Sequence, residues 1–400
     1  MKWLVGGQVY DVIEGLFREQ SVCVRDGVIE DLTPAVAPGP GDDVVNLRGA
    51  YLLPGLIDCH VHLTLNPDAS DPSVYGGRDE ERIFADTRAA ARATLLGGIT
   101  TVRDCGGWDY LEMRVREQVR SGEALGPRMV LAGKLIWVQT PGAVDYPGMF
   151  EIARQPDELR AAATRQLERG ADFIKVMATG MTLSPQGETA HDNFYTADEL
   201  RPLVEFAHEK EVKVACHAEG LDGIRAVVAA GVDSVEHGTH ADENVLKIMA
   251  DHGVFLVPTC MAMAAYLDEA ELRATAPDYL IERFTAAKPL HSKAVNNAYR
   301  LDVPIAMGTD AGAPGVFHGR NAEEVGRMVH DAGMSVEDAL MATTLGAARL
   351  LGCDQSVGSL EPGKHADIVA VSENPLKSPT VVDKVSFVMK AGDVVRNDLE

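Results

Sequence analysis

Between residue 56 and residue 351, short apolar runs alternate with amphipathic stretches, and this alternation admits few architectures. Eight runs read as strands, at 56–61, 100–103, 129–131, 173–177, 212–217, 234–237, 254–257 and 305–308. Helical stretches separate them, at 80–96, 156–168, 196–209, 222–230 and 243–251, with a long one over 269–300. Thr196 followed by Glu199 forms a capping-box pattern that marks one helix start. Strands alternating with helices argue for βαβ units and a parallel sheet. Eight repeats in about 300 residues predict an α/β fold of the (β/α)8 TIM-barrel kind, since doubly wound open sheets more often stop at five or six strands.

Both ends of the chain have a different texture. Strands are expected at 3–5, 9–13, 21–25 and 28–32, with Asp26-Gly27 as a hairpin turn. A Pro/Gly-rich connector, 33–41, leads to 44–47 and then to the apolar run 51–57. After two further helices, 323–332 and 336–351, β texture returns at 366–371, 385–390 and 394–395. The two ends are therefore expected to pair into one small β-sandwich, residues 1–55 and 358–400, interrupted by a barrel of residues 56–357.

Composition narrows the function classes. A formal net charge of −23 argues against nucleic acid, whose binding depends on clustered Lys and Arg neutralising phosphates. No apolar run approaches the roughly 20 residues that span a bilayer, and the opening residues lack the apolar region of a signal peptide. Six cysteines without a CxxC pair suit a reducing compartment. The expectation is a cytoplasmic protein acting on a small molecule, with no membrane or nucleic-acid partner; a homo-oligomer is left open.

Asp58-Cys59-His60-Val61-His62 is the strongest local signal. On a strand, residues two apart share a face, so His60 and His62 project together. Neutral imidazole is a preferred ligand for zinc and similar cations, although a lone HxH is as often a packed or surface pair. Placement strengthens the case: His217 ends the fifth strand, His237 ends the sixth, and Asp310 follows the eighth. In a barrel these C-terminal strand ends ring one rim, where catalytic groups of the architecture gather. Lys175 sits inside the apolar run of the fourth strand. A buried ammonium is costly unless it is paired or deprotonated. Two readings stand open: a pair with a carboxylate such as Asp310, or a neutral amine that reacts with carbon dioxide to give a carbamate able to bridge two metals.

His60-Val61-His62, Lys175, His217, His237 and Asp310, in that order on strands one, four, five, six and eight, resemble the amidohydrolase superfamily. Leu53-Pro54-Gly55-Leu56-Ile57-Asp58, Gly97-Gly98-Ile99-Thr100-Thr101-Val102-Arg103-Asp104, Ser234-Val235-Glu236-His237-Gly238-Thr239 and 358–367 extend the likeness over nearly the whole chain. They look most like the branch of imidazolonepropionase-related proteins and metal-dependent Xaa-Pro dipeptidases or carboxypeptidases. The resemblance implies two divalent metal ions, zinc foremost, with manganese, cobalt or iron as alternatives. It assigns His60, His62 and Asp310 to one metal, His217 and His237 to the other, and a carboxylated Lys175 to both. A hydroxide shared by the metals would be the nucleophile, and Asp310 the general base and then general acid. The implied activity is hydrolysis of an amide or peptide C–N bond in a small molecule such as an N-acyl amino acid or dipeptide.

Two departures are visible. Imidazolonepropionase uses one metal and lacks the lysine on strand four, whereas Lys175 is present here. Dipeptidase-like relatives often carry Gly-Gly-His after strand three, where this chain has Leu135-Ile136-Trp137-Val138-Gln139-Thr140. Rim loops set specificity in such folds. Candidate substrate-binding residues there are Trp137, Gln139, His191, Tyr195, Glu219, His240 and His318, with Glu219 the best placed to read a cationic group. Arg103, Asp104 and Glu236 are expected in supporting ion pairs. Alternative readings are a mononuclear cyclic-amide hydrolase or heterocycle deaminase in which Lys175 is structural, and a non-catalytic barrel that keeps its metal site for folding or assembly.

Overall fold

The computed structural model describes residues 1–34, 38–68 and 79–399; residues 35–37 of the expected connector lie outside them. Its strands in chain order are β1 (Lys2–Asp11), β2 (Leu16–Arg25), β3 (Val28–Thr33), β4 (Asp43–Asn46), β5 (Tyr51–Pro54), β6 (Leu56–Val61), β7 (Ile99–Asp104), β8 (Arg128–Leu131), β9 (Leu135–Trp137), β10 (Phe150–Ile152), β11 (Ile174–Met177), β12 (Val214–Ala218), β13 (Ser234–His237), β14 (Phe255–Val257), β15 (Ile368–Val371), β16 (Phe387–Lys390) and β17 (Asp393–Asn397).

The chain ends meet in one hydrogen-bonded sheet of order β17-β16-β15-β5-β1-β2-β3, with β4 also beside β1. Its joining seam is the antiparallel pair β5–β15, with Leu53 opposite Val369 and Tyr51 opposite Val371. Asp26 and Gly27 turn the β2–β3 hairpin with φ of 49° and 80°, the double left-handed conformation that a two-residue type I′ turn needs. Leu4, Val22, Leu52, Ile368, Phe387 and Met389 bury a core of their own between these strands.

Parallel strands form the rest. β6-β7-β8 make one arc and β10-β9-β11-β12-β13-β14 a second. β8 and β9 are separated by only Ala132, Gly133 and Lys134, and Gly133 takes φ of 72° at the bend. The first segment pairs with β7 and the second with β11, so one bent stretch of chain joins the arcs. Sequence reading ended the third strand at residue 131 and took 135–139 for a rim loop; β9 corrects this.

On the other side, the expected eighth strand at 305–308 forms isolated parallel bridges instead of a ladder, Leu256 with Ile305 and Val61 with Ala311. Met307 O still accepts from Cys59 N at 2.8 Å, and His60 O from Asp310 N at 2.7 Å. The ladder fails because the buried Asp58 carboxylate takes the Thr309 N–H and hydroxyl, and because Asp310 turns left-handed at φ of 63°. The other seven expected strands are present within a residue or two of their ends.

Thr196 and Glu199 form the reciprocal capping box. The stretch read as one long helix over 269–300 is instead two, Ala270–Thr275 and Asp278–Arg300, broken by Ala276-Pro277, which cannot continue a helix, and a further helix, Cys260–Asp268, precedes them. The 336–351 helix divides at Thr344 into Val336–Thr343 and Leu345–Leu351. Among the described residues no helix is long and apolar enough to cross a membrane.

Candidate metal centre

His60, His62, Lys175, His217, His237 and Asp310 all line one open cavity. Strand geometry brings them there: His60 lies in β6 with His62 just beyond it, and β12 and β13 pair in register with Ala218 opposite His237. The rings form a chain of contacts, with centroids 5.4 Å apart for His60 and His62, 5.0 Å for His60 and His237, and 4.6 Å for His217 and His237. His237 and Asp310 both sit at positive φ, 67° and 63°. Such backbone strain in non-glycine residues concentrates at functional sites.

Burial pushes all four imidazoles down, His62 to about 4 and His217 to about 3, His60 and His237 well below the usual histidine value. They are neutral at pH 7, the state in which imidazole binds metal. The partner of each ring then decides which nitrogen has a free lone pair. A carbonyl oxygen only accepts, so His62 Nδ1 donates to Gly106 O at 2.9 Å and leaves Nε2 free. By the same argument His217 Nε2 donates to Gly180 O at 3.1 Å, freeing Nδ1. Glu236 Oε2 accepts from His60 Nδ1 at 2.7 Å. Burial opposes ionisation of Glu236, but Arg103, bonded to both its oxygens, and Lys175 outweigh burial and hold the carboxyl below the usual range. Thr259 Oγ1 holds His237 Nδ1 at 2.7 Å. Partners of this kind orient metal-binding histidines.

Asp310 Oδ1 lies 3.5 Å from His60 Nε2 and 3.4 Å from His62 Nε2. Neither distance is a good hydrogen bond. Two ligands each about 2.1 Å from one ion at a tetrahedral angle are about 3.4 Å apart, so the spacing suits donors that share a cation. Ligand atoms of His60, His237 and Asp310 also lie within 4.8 Å of one another. Lys175 is 1% exposed, and its Nζ has no hydrogen-bond partner among the described residues. The expected alternative, a direct Lys175–Asp310 hydrogen bond, is not formed among the described residues, although the charge of Lys175 acts on both Asp310 and Glu236. An orphaned amine among neutral imidazoles fits a donor set completed by added groups, and the residues present fit divalent cations. Burial raises the Asp310 carboxyl to about 6.

The loop candidates fare unevenly. Glu219 lines the cavity, where its carboxylate accepts from Thr182 N, Thr182 Oγ1 and Thr239 Oγ1. Trp137 does not: as part of β9 it is fully buried and stacks edge-on against Phe150 and Phe194 behind the wall. Gln139 is exposed outside the lining. Tyr195 is buried and spends its hydroxyl on Ala153 O. His191 is exposed and packs on His240 with ring centroids 4.5 Å apart, both off the cavity. His318 supports from behind, bonding Thr94 and the His62 carbonyl. Arg103 pairs with Glu236 as expected, whereas Asp104 accepts from the backbone of Leu63 and Gly106.

Sequence reasoning missed Thr259 and the apolar wall. That wall comes from the β9–β10 excursion and from helix Cys260–Asp268, buried on most of its faces. The unbroken run Cys260-Met261-Ala262-Met263-Ala264-Ala265-Tyr266-Leu267 was the available signal, because a helix apolar all round is a buried one.

Parallel strands flanked by helices, with imidazoles and a carboxylate converging at their C-terminal ends, define an α/β protein with a candidate metal centre. The chain matches the amidohydrolase family over residues 51–395 and belongs to it. It is 30% identical over 386 aligned residues to the ochratoxinase of Aspergillus niger, covering 87% of this chain and 76% of that one. Identity to the imidazolonepropionase of Pseudomonas putida is 27% over 396 residues, covering 90% and 88%. A crystal structure of a Xaa-Pro dipeptidase with bound methionine in the active site superposes with a TM-score of 0.89 at 28% identity, covering 99% of this chain and 100% of that one. Both branches named by the resemblance are thus represented among its relatives.

Proposed function

We propose that this protein hydrolyses an amide C–N bond of a small molecule at a binuclear metal centre, built at the mouth of a closed (β/α)8 barrel spanning residues 56–357 and flanked by a β domain of residues 1–55 and 358–400. His60, His62 and Asp310 would hold one cation and His217 and His237 the other, with Lys175, as the carbamate its amine forms with carbon dioxide, completing the donor set. Divalent cations held there, zinc foremost, would supply a water of lowered pKa and polarise the substrate carbonyl. Asp310 takes a proton from the attacking water and returns it to the departing amine nitrogen. Glu236, Thr259 and the Gly106 and Gly180 carbonyls keep the imidazoles in the tautomers that ligation needs.

One observation carries the reading: a buried lysine amine with no hydrogen-bond partner among the described residues, in the midst of four neutral histidines. Likeness to an ochratoxinase and to a Xaa-Pro dipeptidase supports amide-bond cleavage. Purified protein should hold about two equivalents of divalent metal, and Lys175→Ala should abolish turnover of amides in a screen that includes dipeptides and N-acyl amino acids. One equivalent of metal together with full activity in that variant would defeat the proposal.

A second reading rests on the His60–His237–Asp310 group, the compact three-ligand set that can hold a single ion without Lys175. It makes the protein a mononuclear cyclic-amide hydrolase or deaminase, and ammonia released from a heterocycle by a one-metal enzyme would select it.

A further inference from the structure

The cavity is chemically divided. Its floor holds the candidate ligands, while its walls are apolar: Tyr146, Met149 and Phe150 on one side, and Met263, Tyr266 and Phe284 on the other. Tyr266 and Phe284 stack with centroids 4.5 Å apart and planes 15° from parallel, giving that wall a flat, rigid face. Among the described lining residues Lys175 is the sole lysine or arginine, and the reading above assigns it to the metals. Arg283, next to Phe284, donates to the Ser184 carbonyl and lies over the Tyr279 ring, outside the lining. That reading also gives Asp310 to the metals, so Glu219, which accepts three hydrogen bonds from Thr182 and Thr239, makes the remaining charge acidic.

Away from the metal ions, a free carboxylate held against these walls would lose its hydration, gain no guanidinium or ammonium from the described residues, and face the Glu219 carboxylate. Burying an unpaired charge is among the costliest events in a protein interior, and carboxylate recognition ordinarily uses Arg or Lys. Aromatic and methionine walls suit bulky apolar groups.

We infer that the substrate is an uncharged amide bearing bulky, preferably aromatic, groups beside the scissile bond, and not a dipeptide or N-acyl amino acid with a free carboxylate. This rests on the amide-hydrolase reading of the site and narrows its substrate class.

A matched pair tests it: N-benzoyl-phenylalanine, which carries the carboxylate, and N-benzoyl-phenylalaninamide, which does not. Binding of each to the metal-loaded protein is measured by calorimetry, and hydrolysis is followed separately. The neutral member is expected to bind at least tenfold more tightly. Ala262→Lys, which adds a cation at a half-buried position in the lining helix, should bring the acid at least level with it. Equal or tighter binding of the acid by the unmodified protein overturns the inference, whether or not the variant folds. Binding with the expected preference, but no hydrolysis of either compound or of other neutral aryl amides, would leave the inference standing and sink the amide-hydrolase reading instead.

Discussion

Glu236 Oε2 accepts the Nδ1 proton of His60 at 2.7 Å, while both oxygens of the same carboxylate are bonded by Arg103. One buried acid thus fixes the tautomer of a candidate ligand and neutralises a buried guanidinium. Glu236→Gln should lower divalent-metal affinity by about 10- to 100-fold, the usual cost of losing such a partner. It should also destabilise the fold by about 3–5 kcal/mol, because Arg103 is left buried without its counter-charge. Metal titration and denaturant unfolding measure the two effects; unchanged metal affinity would refute the first.

Lys175 separates stability from function. In metal-free protein its amine is buried without a hydrogen bond, so Lys175→Met, similar in volume and apolar, should leave stability unchanged or raise it. Turnover should fall about a hundredfold or more. Thermal unfolding of chelator-treated protein, set beside turnover of reloaded protein, checks this; a large loss of stability would mean that the lysine is held by contacts and serves the fold.

Glu324 makes the fold pH-sensitive at a distance from the ligands. Its carboxylate accepts from Cys260 N and Met261 N, and burial, opposed by those bonds, raises it from 4.5 to about 8. Between those values the folded chain keeps a proton that the unfolded chain has lost, so this group's contribution to stability is full below 4.5 and declines as pH rises towards 8. Glu324→Gln should therefore gain on the parent as pH rises from 5 to 8. Urea midpoints of both proteins across that range decide it, and a constant difference would rule out the buried acid as the cause.

Trp137 should be dispensable for substrate. It lies behind the cavity wall and its indole nitrogen has no partner, so Trp137→Phe removes an unsatisfied donor at the cost of a small void. The two effects are each on the order of 1–3 kcal/mol and opposed. Stability should stay within about 1 kcal/mol and kcat/KM within about twofold. A tenfold fall in kcat/KM would restore Trp137 as a substrate contact.

Much of the centre was legible because its members mark strand ends. HxH on an extended segment, and a His or Asp closing an apolar run, are patterns of local spacing that survive without coordinates, and they led to five of the six residues that line the floor, the sixth, Lys175, standing out as a lysine inside an apolar run. Gln139, His191 and His240 obeyed the same rim logic and failed it. Proximity along the chain to a strand end does not say which way a loop folds back.

From residues alone came the period of the strands and helices, the turn at Asp26-Gly27 and the identity of the metal-type side chains, since each depends on neighbours a few positions apart. Tertiary structure decided the rest. It bent the third strand at Gly133, so that Trp137 turned into the wall, and gave the Thr309 N–H to Asp58 in place of a ladder. It left Lys175 without a hydrogen-bond partner among the described residues and lined the cavity with apolar groups from β10 and two helices. These outcomes follow from competition among groups tens to hundreds of positions apart for the same hydrogen bonds and the same space, and no local pattern records which of them wins.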